Sequence, residues 1–574
     1  MDRISRIGVL VCIGLLVYLV FTTQPKPRPQ SAATSGVPAT NTLVPAGPNG
    51  AAPAAAVNPS VGPAPAAAAT LPPEQITFLE NDAIRATMTS RGAAIKQVEL
   101  KTHKEDKTGN VVLNEQAHSS ILELTGWPGA DSLNFTSRPV PNGLAYTAAL
   151  PNGLTWVREY TLGKNNVITV KDTIANPGAA EAVLPAYGLS VGRAEPLRVA
   201  GRYQATANSY LGCGWLTSKA YHLTTINDFN PSSIPIIGIQ TRESKDVISS
   251  TEIDNLPLRW LGAENQFFTV LLTPTEDHQI GSARFQCFNQ RDASGKLEPS
   301  DAEPDVEATA LFPEIHVPAG GSASFTYSVY AGPKDYYQLN ALGEQQGELM
   351  NYGHFEIPII VLLGILRFFH SVVGNYGVAI IMLTLLVKIC TWPLQSISNH
   401  SGKKMQALAP KLKELQAKYK EQPEKLNTET FAMYREYGVN PFGGCLPALV
   451  QMPVFFSLYY MLQNAGELRG QSFLWVHDLT QPDTVATWHH FALNPLPLMV
   501  TGLTMIMMRM TPQIGDPSQA RIAQFMPLIF LVFLYNFAAA LSLYYVINNC
   551  VSIIQIYRNL RKPLPELKRV PKKK

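Results

Sequence analysis

The pattern of apolar and polar positions divides the chain into segments of different character. Residues 7–21 form an uncharged apolar run that follows Arg3 and Arg6, which predicts an uncleaved signal anchor over residues 1–23 with a cytoplasmic N-terminus. A cleaved signal peptide is the alternative for this run. Residues 24–74 are rich in Pro and Ala and contain few large apolar side chains, so we expect a disordered linker that provides reach.

Between residues 75 and 350 the apolar positions alternate as they do in β-strands. Short β-branched runs are separated by turn residues such as Pro151-Asn152-Gly153. The clearest runs are residues 76–79, 84–88, 95–99, 154–162, 167–174, 267–272 and 325–331. Many short strands with few helical stretches predict one antiparallel β-sandwich domain over residues 75–350. Cys213 and Cys287 lie in this segment, and the sequence leaves open whether they form a disulfide.

The same segment carries no recognisable catalytic chemistry. It has no His/Cys spacing typical of a metal site, no nucleophile elbow and no glycine-rich phosphate loop. Its scattered histidines, which we expect to be surface or core residues, are His103, His222, His278 and His316. The sequence therefore predicts no cofactor, no metal site and no enzymatic activity here.

Long apolar runs follow residue 350 and predict a polytopic α-helical membrane core over residues 351–562. In the first run, residues 356–373, one helix face holds Glu356, Arg367 and His370, which predicts an amphipathic helix lying in the membrane interface. A spanning segment is the alternative for this run. The spans that follow are predicted at about residues 376–394, 445–462, 491–508, 525–536 and 540–556.

The charges between these runs predict the topology. Residues 397–437 hold eight Lys/Arg and five Glu, and their apolar positions recur at helical spacing, so we expect a cytoplasmic helical hairpin. The loop 467–490 has one Arg and no Lys, as is typical of an outside loop. Residues 563–574 form a basic tail that belongs in the cytoplasm. Six spans, counting the anchor and with both termini inside, satisfy every loop.

Composition adds little about partners. The 574 residues include 46 Lys+Arg and 43 Asp+Glu, so only 16% are charged, against about 25% in average soluble domains. The net charge of +3 indicates no particular partner, and no sequence-specific nucleic-acid binding is expected.

Polar residues inside the predicted spans recur at helical spacing. Thr384 and Lys388 are four residues apart on one span. The last span carries a second stripe, made of Ser542, Tyr545, Asn549 and Ser552. Other spans add Gln451, Gln463 and Thr504. Because ionisable residues in spans normally face a bundle interior or a water-filled cavity, these residues predict a wet, positively charged groove. The alternative is that Lys388 snorkels to the nearby cytoplasmic surface.

Several other functions are disfavoured by the same spans. They contain no paired carboxylates, which argues against a proton-relay pump, and the chain has no Walker A motif, which argues against an ATPase. A secondary transporter with a polar intramembrane site is the main alternative, but residues 376–462 and 491–556 show no internal repeat. A receptor would need a cytoplasmic signalling domain, for which residues 557–574 are too few.

One stretch of the chain resembles a known family. Residues 440–447 (NPFGGCLP), with Gln451-Met452-Pro453-Val454-Phe455 and residues 458–462 (LYYML), closely resemble the signature of the YidC/Oxa/Alb membrane protein insertases. Met526-Pro527 and Leu543-Tyr544-Tyr545 are similar to the last two spans of that family. Residues 89–95 and 330–335 resemble the periplasmic domain of its Gram-negative YidC type.

The resemblance implies a non-enzymatic insertase and chaperone of the bacterial inner membrane, working alone or beside the Sec translocon. Its partners would be nascent transmembrane segments and membrane lipid, with a ribosome contact through the basic hairpin and tail. Lys388 would be the groove cation where most members have Arg, while Thr384 and Tyr545 match positions that face the incoming segment. The client-binding groove is then expected at Lys388, Thr384, Tyr545, Gln451, Ser542 and Asn549. The family's Pro-Ser-Gly before the last span reads Ala538-Ala539-Ala540 in this chain.

Overall fold

The computed structural model of the chain describes most residues between 73 and 567. The gaps are residues 106–108, 116, 128, 131–132, 197, 200–201, 204–209, 235–238, 276–277, 289–305, 421, 440–445, 489–490, 512–526, 530 and 533. The predicted anchor at 1–23, the predicted linker up to residue 72 and the last part of the basic tail at 568–574 lie outside the described residues, as does the first part of the signature at 440–445.

Residues 76–333 form a domain of antiparallel strands, called the β domain below. In chain order its first strands are β1 (Ile76–Glu80), β2 (Ile84–Thr89), β3 (Ala94–Lys104), β4 (Asn110–Leu113), β5 (Leu124–Thr125), β6 (Thr136–Val140), β7 (Gly143–Ala149), β8 (Thr155–Leu162), β9 (Val167–Ala175), β10 (Ala182–Leu184), β11 (Tyr187–Ala194) and β12 (Arg198–Val199). They continue with β13 (Arg202–Tyr203), β14 (Gly212–Thr217), β15 (Tyr221–Thr225), β16 (Ser232–Ile234), β17 (Ile239–Arg242), β18 (Val247–Ser249), β19 (Leu258–Glu264), β20 (Phe268–Pro274), β21 (Ser282–Cys287), β22 (Val306–Phe312), β23 (Ile315–Val317) and β24 (Ser322–Pro333).

Three sheets account for most of these strands. The largest has nine strands in the order β15-β14-β19-β20-β24-β9-β8-β7-β6, a second has five in the order β18-β21-β22-β11-β5, and a third has four in the order β1-β2-β3-β4. Alternate residues of β9 face the core, where Ile168, Val170 and Ile174 are fully buried. This alternation is the reason the sequence could specify strands, and the predicted antiparallel β-sandwich is confirmed.

A buried ion pair joins two neighbouring strands of the nine-stranded sheet inside this core. Arg158 of β8 and Asp172 of β9 are both fully buried, and the guanidinium donates to the carboxylate through Nε at 2.7 Å and through a second nitrogen at 2.8 Å. Arg158 also donates to the carbonyl oxygen of Leu122, 2.8 Å away. Buried charges are tolerated when paired and hydrogen-bonded in this way. Cys213 of β14 and Cys287 of β21 are buried thiols in this domain.

The second half of the chain is helical. Its helices are α1 (Tyr336–Asn340), α2 (Glu356–Val373), α3 (Tyr376–Lys418), α4 (Pro423–Glu436), α5 (Leu446–Asn464), α6 (Pro495–Met510) and α7 (Ala539–Leu560). In the part of the chain that the structure describes, three helices are long and apolar enough to cross a membrane: Gly353–Val373, Tyr376–Lys418 and Ala539–Leu560. α6 is a shorter apolar helix, and the count of six spans stays a prediction.

The bounds of α3 and α6 differ from the predicted ones. The predicted span at 376–394 and the first arm of the predicted hairpin are one helix, α3, which runs through Pro393 and Pro410. Each proline removes one backbone hydrogen bond, but the Leu, Gln, Lys and Ala residues around them favour helix. α6 begins at Pro495 rather than 491, because β26 (Phe491–Leu493) pairs with β25 (Ala486–Trp488) in a short hairpin.

The hairpin of α3 and α4 has a small core of its own. Leu408, Leu412, Tyr437 and Val439 are buried together in it. The ammonium group of Lys411 lies 4.2 Å from the centre of the Tyr437 ring. This contact joins α3 to the C-terminal end of α4.

The β domain and the helices pack against each other along one seam. Its apolar part includes Leu216, Trp260, Leu271 and Tyr330 from the sheet with Ile359, Leu363 and Leu366 from α2. Beside it, Arg367 of α2 forms ion pairs with Asp335, just after β24, and with Glu467, just after α5. The charged group of the predicted amphipathic helix is therefore bound to the β domain. Whether α2 lies in the interface or spans stays a prediction.

Candidate functional site

The polar residues predicted in the spans meet where α3 packs along α7. Lys388 of α3 is half-buried, and its Nζ donates to the Ser552 Oγ of α7 at 2.8 Å. The Ser552 hydroxyl in turn donates to the Asn548 carbonyl oxygen at 2.8 Å. Among the described residues, no carboxylate lies within ion-pair distance of Lys388. The cation is thus held by a neutral hydroxyl.

Two predicted groove residues are enclosed by the helices. Thr384 is fully buried, and its Oγ1 donates to the Ile380 carbonyl oxygen at 2.7 Å, within its own helix. Ser542 of α7 is only 3% exposed. Spacing placed Thr384 on the same helix face as Lys388, but the neighbouring helices cover that face one turn away from the lysine. Burial of this kind depends on the partner helix, which spacing does not reveal.

Asn549 links α7 to α6. Its Nδ2 donates to Thr504 Oγ1 at 3.0 Å and to the Val500 carbonyl oxygen at 3.4 Å. Asn549 is 5% exposed, so this predicted residue joins two helices in the structure and presents little surface to a client. Thr504, noted in the sequence as an isolated polar residue, is its partner.

The remaining predicted residues lie where α5 meets α7. Gln451 of α5 donates through Nε2 to the Tyr544 hydroxyl at 3.5 Å. The half-buried ring of Tyr545 lies 5.9 Å from that of Phe455, between centroids. Gln463 lies at the other end of α5, where its carbonyl oxygen accepts a hydrogen bond from Gln266 of the β domain at 2.7 Å. The structure therefore brings Gln451 and Tyr545 to an aromatic part of the stripe, but not Gln463.

A cavity that sequence reasoning missed continues the stripe beyond Lys388. It has a volume of about 390 Å³ and lies between the second half of α3 and the end of α7. Its lining includes Asn399 and Lys403 of α3 with Gln555 and Asn559 of α7. The signal was present: Ser552, Gln555 and Asn559 continue the helical spacing of the predicted stripe, past residue 556 where the span was predicted to end.

The cations near the stripe lie towards one end of the helices. Lys388, Lys403 and Arg558 lie on the half of the molecule that includes the basic hairpin and tail. At the seam with the β domain, Asp335 and Glu467 surround Arg367. The cationic end of the stripe is thus the end predicted to be cytoplasmic.

A β domain joined to apolar helices that enclose a cationic polar stripe defines a multi-pass membrane protein with a large domain outside the membrane. The family model described as YidC periplasmic domain matches residues 76–361, and the one described as 60Kd inner membrane protein matches residues 368–563. The membrane protein insertase YidC of Syntrophus aciditrophicus is 31% identical over 97% of this chain and 99% of that protein. That of Syntrophobacter fumaroxidans is 36% identical over 58% of this chain and 59% of that protein.

A solved structure of an active YidC insertase with its first transmembrane domain resolved aligns with 86% of this chain and 96% of its own, at 16% identity and a TM-score of 0.33. The chain belongs to the YidC family of membrane protein insertases, as the full-length relatives and the two family models show.

Proposed function

We propose that this protein inserts and folds integral membrane proteins along the polar stripe around Lys388. Insertase function comes with membership of the family, and the role of the stripe is our own inference. The observation that supports it most directly is the 2.8 Å contact from Lys388 Nζ to the neutral Ser552 hydroxyl, because a cation held in this way keeps its charge available to a passing anion. The family membership does not favour the secondary transporter.

In this mechanism the stripe lowers the barrier for the polar tail of a client. A charged group at the bilayer centre costs about 2.5–3.5 kcal/mol on insertion scales. A groove open to the cytoplasm and to lipid shortens the apolar distance that the tail must cross. Lys388 attracts Asp or Glu in the tail, and that attraction is stronger where the dielectric constant is lower. Burial of the client's apolar side chains in lipid then provides the driving force, and no cofactor is required.

The orientation and partners are part of the same proposal. We place the protein in the bacterial inner membrane with both termini in the cytoplasm and the β domain in the periplasm, alone or beside the Sec translocon. The hairpin of α3 and α4 and the tail beyond it are basic, so they are suited to contact a ribosome. Loss of salt-sensitive co-sedimentation with ribosomes on removal of residues 568–574 would support this contact, and unchanged co-sedimentation would argue against it.

The test of the stripe uses variants of Lys388 and two clients that differ only in the charge of their translocated tail. Lys388→Ala should slow insertion of the acidic-tailed client about tenfold, equal to about 1.4 kcal/mol of barrier, and leave the uncharged-tailed client nearly unaffected. Lys388→Arg should function, and Lys388→Glu should be worse than Ala. The matched control is Lys404→Ala, which removes a cation of α3 outside the stripe.

Insertion can be measured in proteoliposomes by protection of the tail from protease. Equal insertion of both clients by Lys388→Ala would show that the side chain only snorkels, and the electrostatic step would be wrong. Equal slowing of both clients would instead point to a packing role for the lysine.

A further inference from the structure

The 390 Å³ cavity beyond Lys388, called the cytoplasmic vestibule below, is strongly cationic. Its lining includes His400, Lys403, Arg558 and Lys562, together with the amide side chains of Asn399 and Gln555. None of the described residues that line it is acidic. Several cations and hydrogen-bond donors therefore line one cavity, and its described lining contains no carboxylate to neutralise them.

One cation of the vestibule, Lys403, is positioned by the fold, whereas His400, Arg558 and Lys562 are exposed side chains. Lys403 is only 9% exposed, and its Nζ donates to the Lys562 carbonyl oxygen at 2.6 Å, just past the end of α7. This bond joins the second half of α3 to the residues just after α7. Burial, and after it the nearby charge of Lys562, lowers the pKa of Lys403. Like charges held this close are stabilised by a bound anion.

An exposed apolar surface adjoins the vestibule on its membrane side. Trp392 lines the cavity and is 38% exposed, Ile389 lies one turn earlier on α3 and is 67% exposed, and Ile554 lies one turn before Arg558 on α7 and is 57% exposed. Trp392 also lies near the end of the predicted span at 376–394, the depth at which Trp is enriched in membrane proteins. The cations therefore lie at headgroup depth, with apolar side chains directly on the hydrocarbon side.

We propose that the cytoplasmic vestibule binds the phosphate headgroup of an anionic phospholipid, with the acyl chains against Ile389 and Ile554. Arg558 and Lys562 bind the phosphate oxygens, and Asn399 and Gln555 offer hydrogen bonds to the glycerol part of the headgroup. A free phosphate compound would use the same cations but would gain nothing from the apolar surface. The combination of both surfaces identifies the ligand as a lipid.

The test measures lipid binding to the full-length protein by native mass spectrometry from detergent. The probes are dioleoylphosphatidylglycerol and dioleoylphosphatidylcholine, and glycerol 3-phosphate serves as a competitor without acyl chains. The vestibule variant is Arg558→Gln with Lys562→Gln. The matched control is Lys404→Gln with Arg561→Gln, which removes the same charge from side chains that do not line the vestibule. Arg561 is a suitable control because its guanidinium lies 4.4 Å from the centre of the Tyr557 ring.

We expect one tightly bound phosphatidylglycerol, and about tenfold weaker binding in the vestibule variant, the loss expected for one or two charge-assisted contacts. The control should stay within about twofold of the wild type, since neither of its side chains lines the vestibule. Phosphatidylcholine should bind the wild type and the vestibule variant equally and weakly. Equal loss in both double variants would overturn the proposal in favour of general surface charge.

Full displacement of the lipid by glycerol 3-phosphate would also overturn it, since the vestibule would then be a site for soluble phosphate compounds. An Arg558→Lys variant controls for loss of binding through misfolding. It keeps the charge, so it should retain most of the phosphatidylglycerol binding. Failure of Arg558→Lys with an unchanged melting temperature would contradict a role for charge.

Discussion

Lys388 and Ser552 show how a membrane helix holds a cation without a carboxylate. The spacing of polar residues predicted that Lys388 lies on a polar face, and the structure places it against a hydroxyl of α7. The same spacing could not predict that Thr384, one turn away, is fully buried. Helical period identifies which residues share a face, but exposure of that face depends on the packing of other helices. The residue roles in the groove therefore remain a proposal.

A second residue, His278, shows how the core of the β domain treats a titratable group. Its ring stacks on Phe325 with centroids 3.9 Å apart, and its Nε2 shares a hydrogen bond with the Tyr187 hydroxyl at 2.8 Å. Burial lowers the pKa of His278 from 6.5 to about 4, and the more distant charge of Asp172 opposes this only in part. The sequence predicted that such histidines are surface or core residues, and this one is in the core.

We expect acid to destabilise the β domain through His278. The pKa is lower in the folded protein, so between about pH 6.5 and about pH 4 the unfolded chain binds more protons and stability falls as the pH falls. The loss for this group should reach about 2 kcal/mol near pH 5. In His278→Phe, the fall in melting temperature of the full-length protein from about pH 7 to about pH 5 should be smaller. His354→Gln, at an exposed histidine outside this cluster, is the control, and identical pH profiles for all three proteins would rule out this role.

At the level of elements, the start of α7 depends on a loop distant in sequence. The Ala539 N–H donates to the Gln481 carbonyl oxygen at 2.7 Å, and the Ala540 N–H donates to the Leu479 carbonyl oxygen at 2.9 Å. The first backbone N–H groups of a helix have no partner within the helix, so the loop caps α7 by backbone contacts. The small side chain of Ala539, fully buried, permits this approach. A turn over residues 535–537 precedes α7 without the family's Pro-Ser-Gly.

Ala539→Pro should uncouple the loop from α7 while preserving the helix. Proline is favoured at the first helical position, and the preceding Ala538, with ψ at 134°, has the extended backbone that a following proline requires. The lost hydrogen bond should cost about 1 kcal/mol. Amide hydrogen exchange should speed up at Ala540, whose N–H donates to the loop, and in the loop over residues 478–483, with unchanged helix content by circular dichroism. Ala539→Gly keeps the N–H, so it should leave the loop protected, and faster exchange in both variants would contradict capping.

Prediction from sequence was strongest for elements with regular alternation and weakest where elements meet. The strands β8 and β9 follow their predicted runs to within a residue, because each buries one face of the sheet. The sequence prediction divided α3 into a span and a hairpin arm, because its residues change from apolar to charged near the middle. The helix continues through this change, since apolar and charged residues can both have high helix propensity. The second strand of the hairpin, β26, was included in a predicted span because its residues are apolar, whereas β25 was predicted as loop.

At the scale of the whole molecule, the seam joins the β domain to α2 and α5 through both apolar and ionic contacts. Lys334 and Asp335 are adjacent in sequence, but one forms an ion pair with the β domain and the other with the helices. Lys334 forms an ion pair at 2.7 Å with the buried Glu264 of the β domain, and Asp335 binds Arg367 of α2. The two parts are therefore connected by more than the chain between them. The sequence predicted the β domain and the helical core separately. It could not predict the ion pairs between them, because residues so far apart in sequence form no local pattern.

The topology predicts where reporter enzymes will be active. An enzyme active only outside the cytoplasm, such as alkaline phosphatase, should work when fused near Asn230 or Val485 and fail near Lys413 or after Arg569. Asp483, in the same loop, is a less suitable fusion point than Val485. Its carboxylate accepts the Leu496 N–H at 2.7 Å and it is only 3% exposed, whereas Val485 is 49% exposed. Activity after Arg569 would mean five spans and an outside C-terminus.

β24 is the last strand of the β domain to be synthesised, although it lies in the middle of the nine-stranded sheet. It pairs with β20 on one side and β9 on the other. A ribosome therefore releases both halves of the sheet well before the strand that joins them, and pairing over such distances in sequence is slow. We expect the facing edges of β20 and β9 to stay unpaired until β24 has crossed the membrane. The β domain is then completed shortly before α2, the first helix of the membrane core, leaves the ribosome.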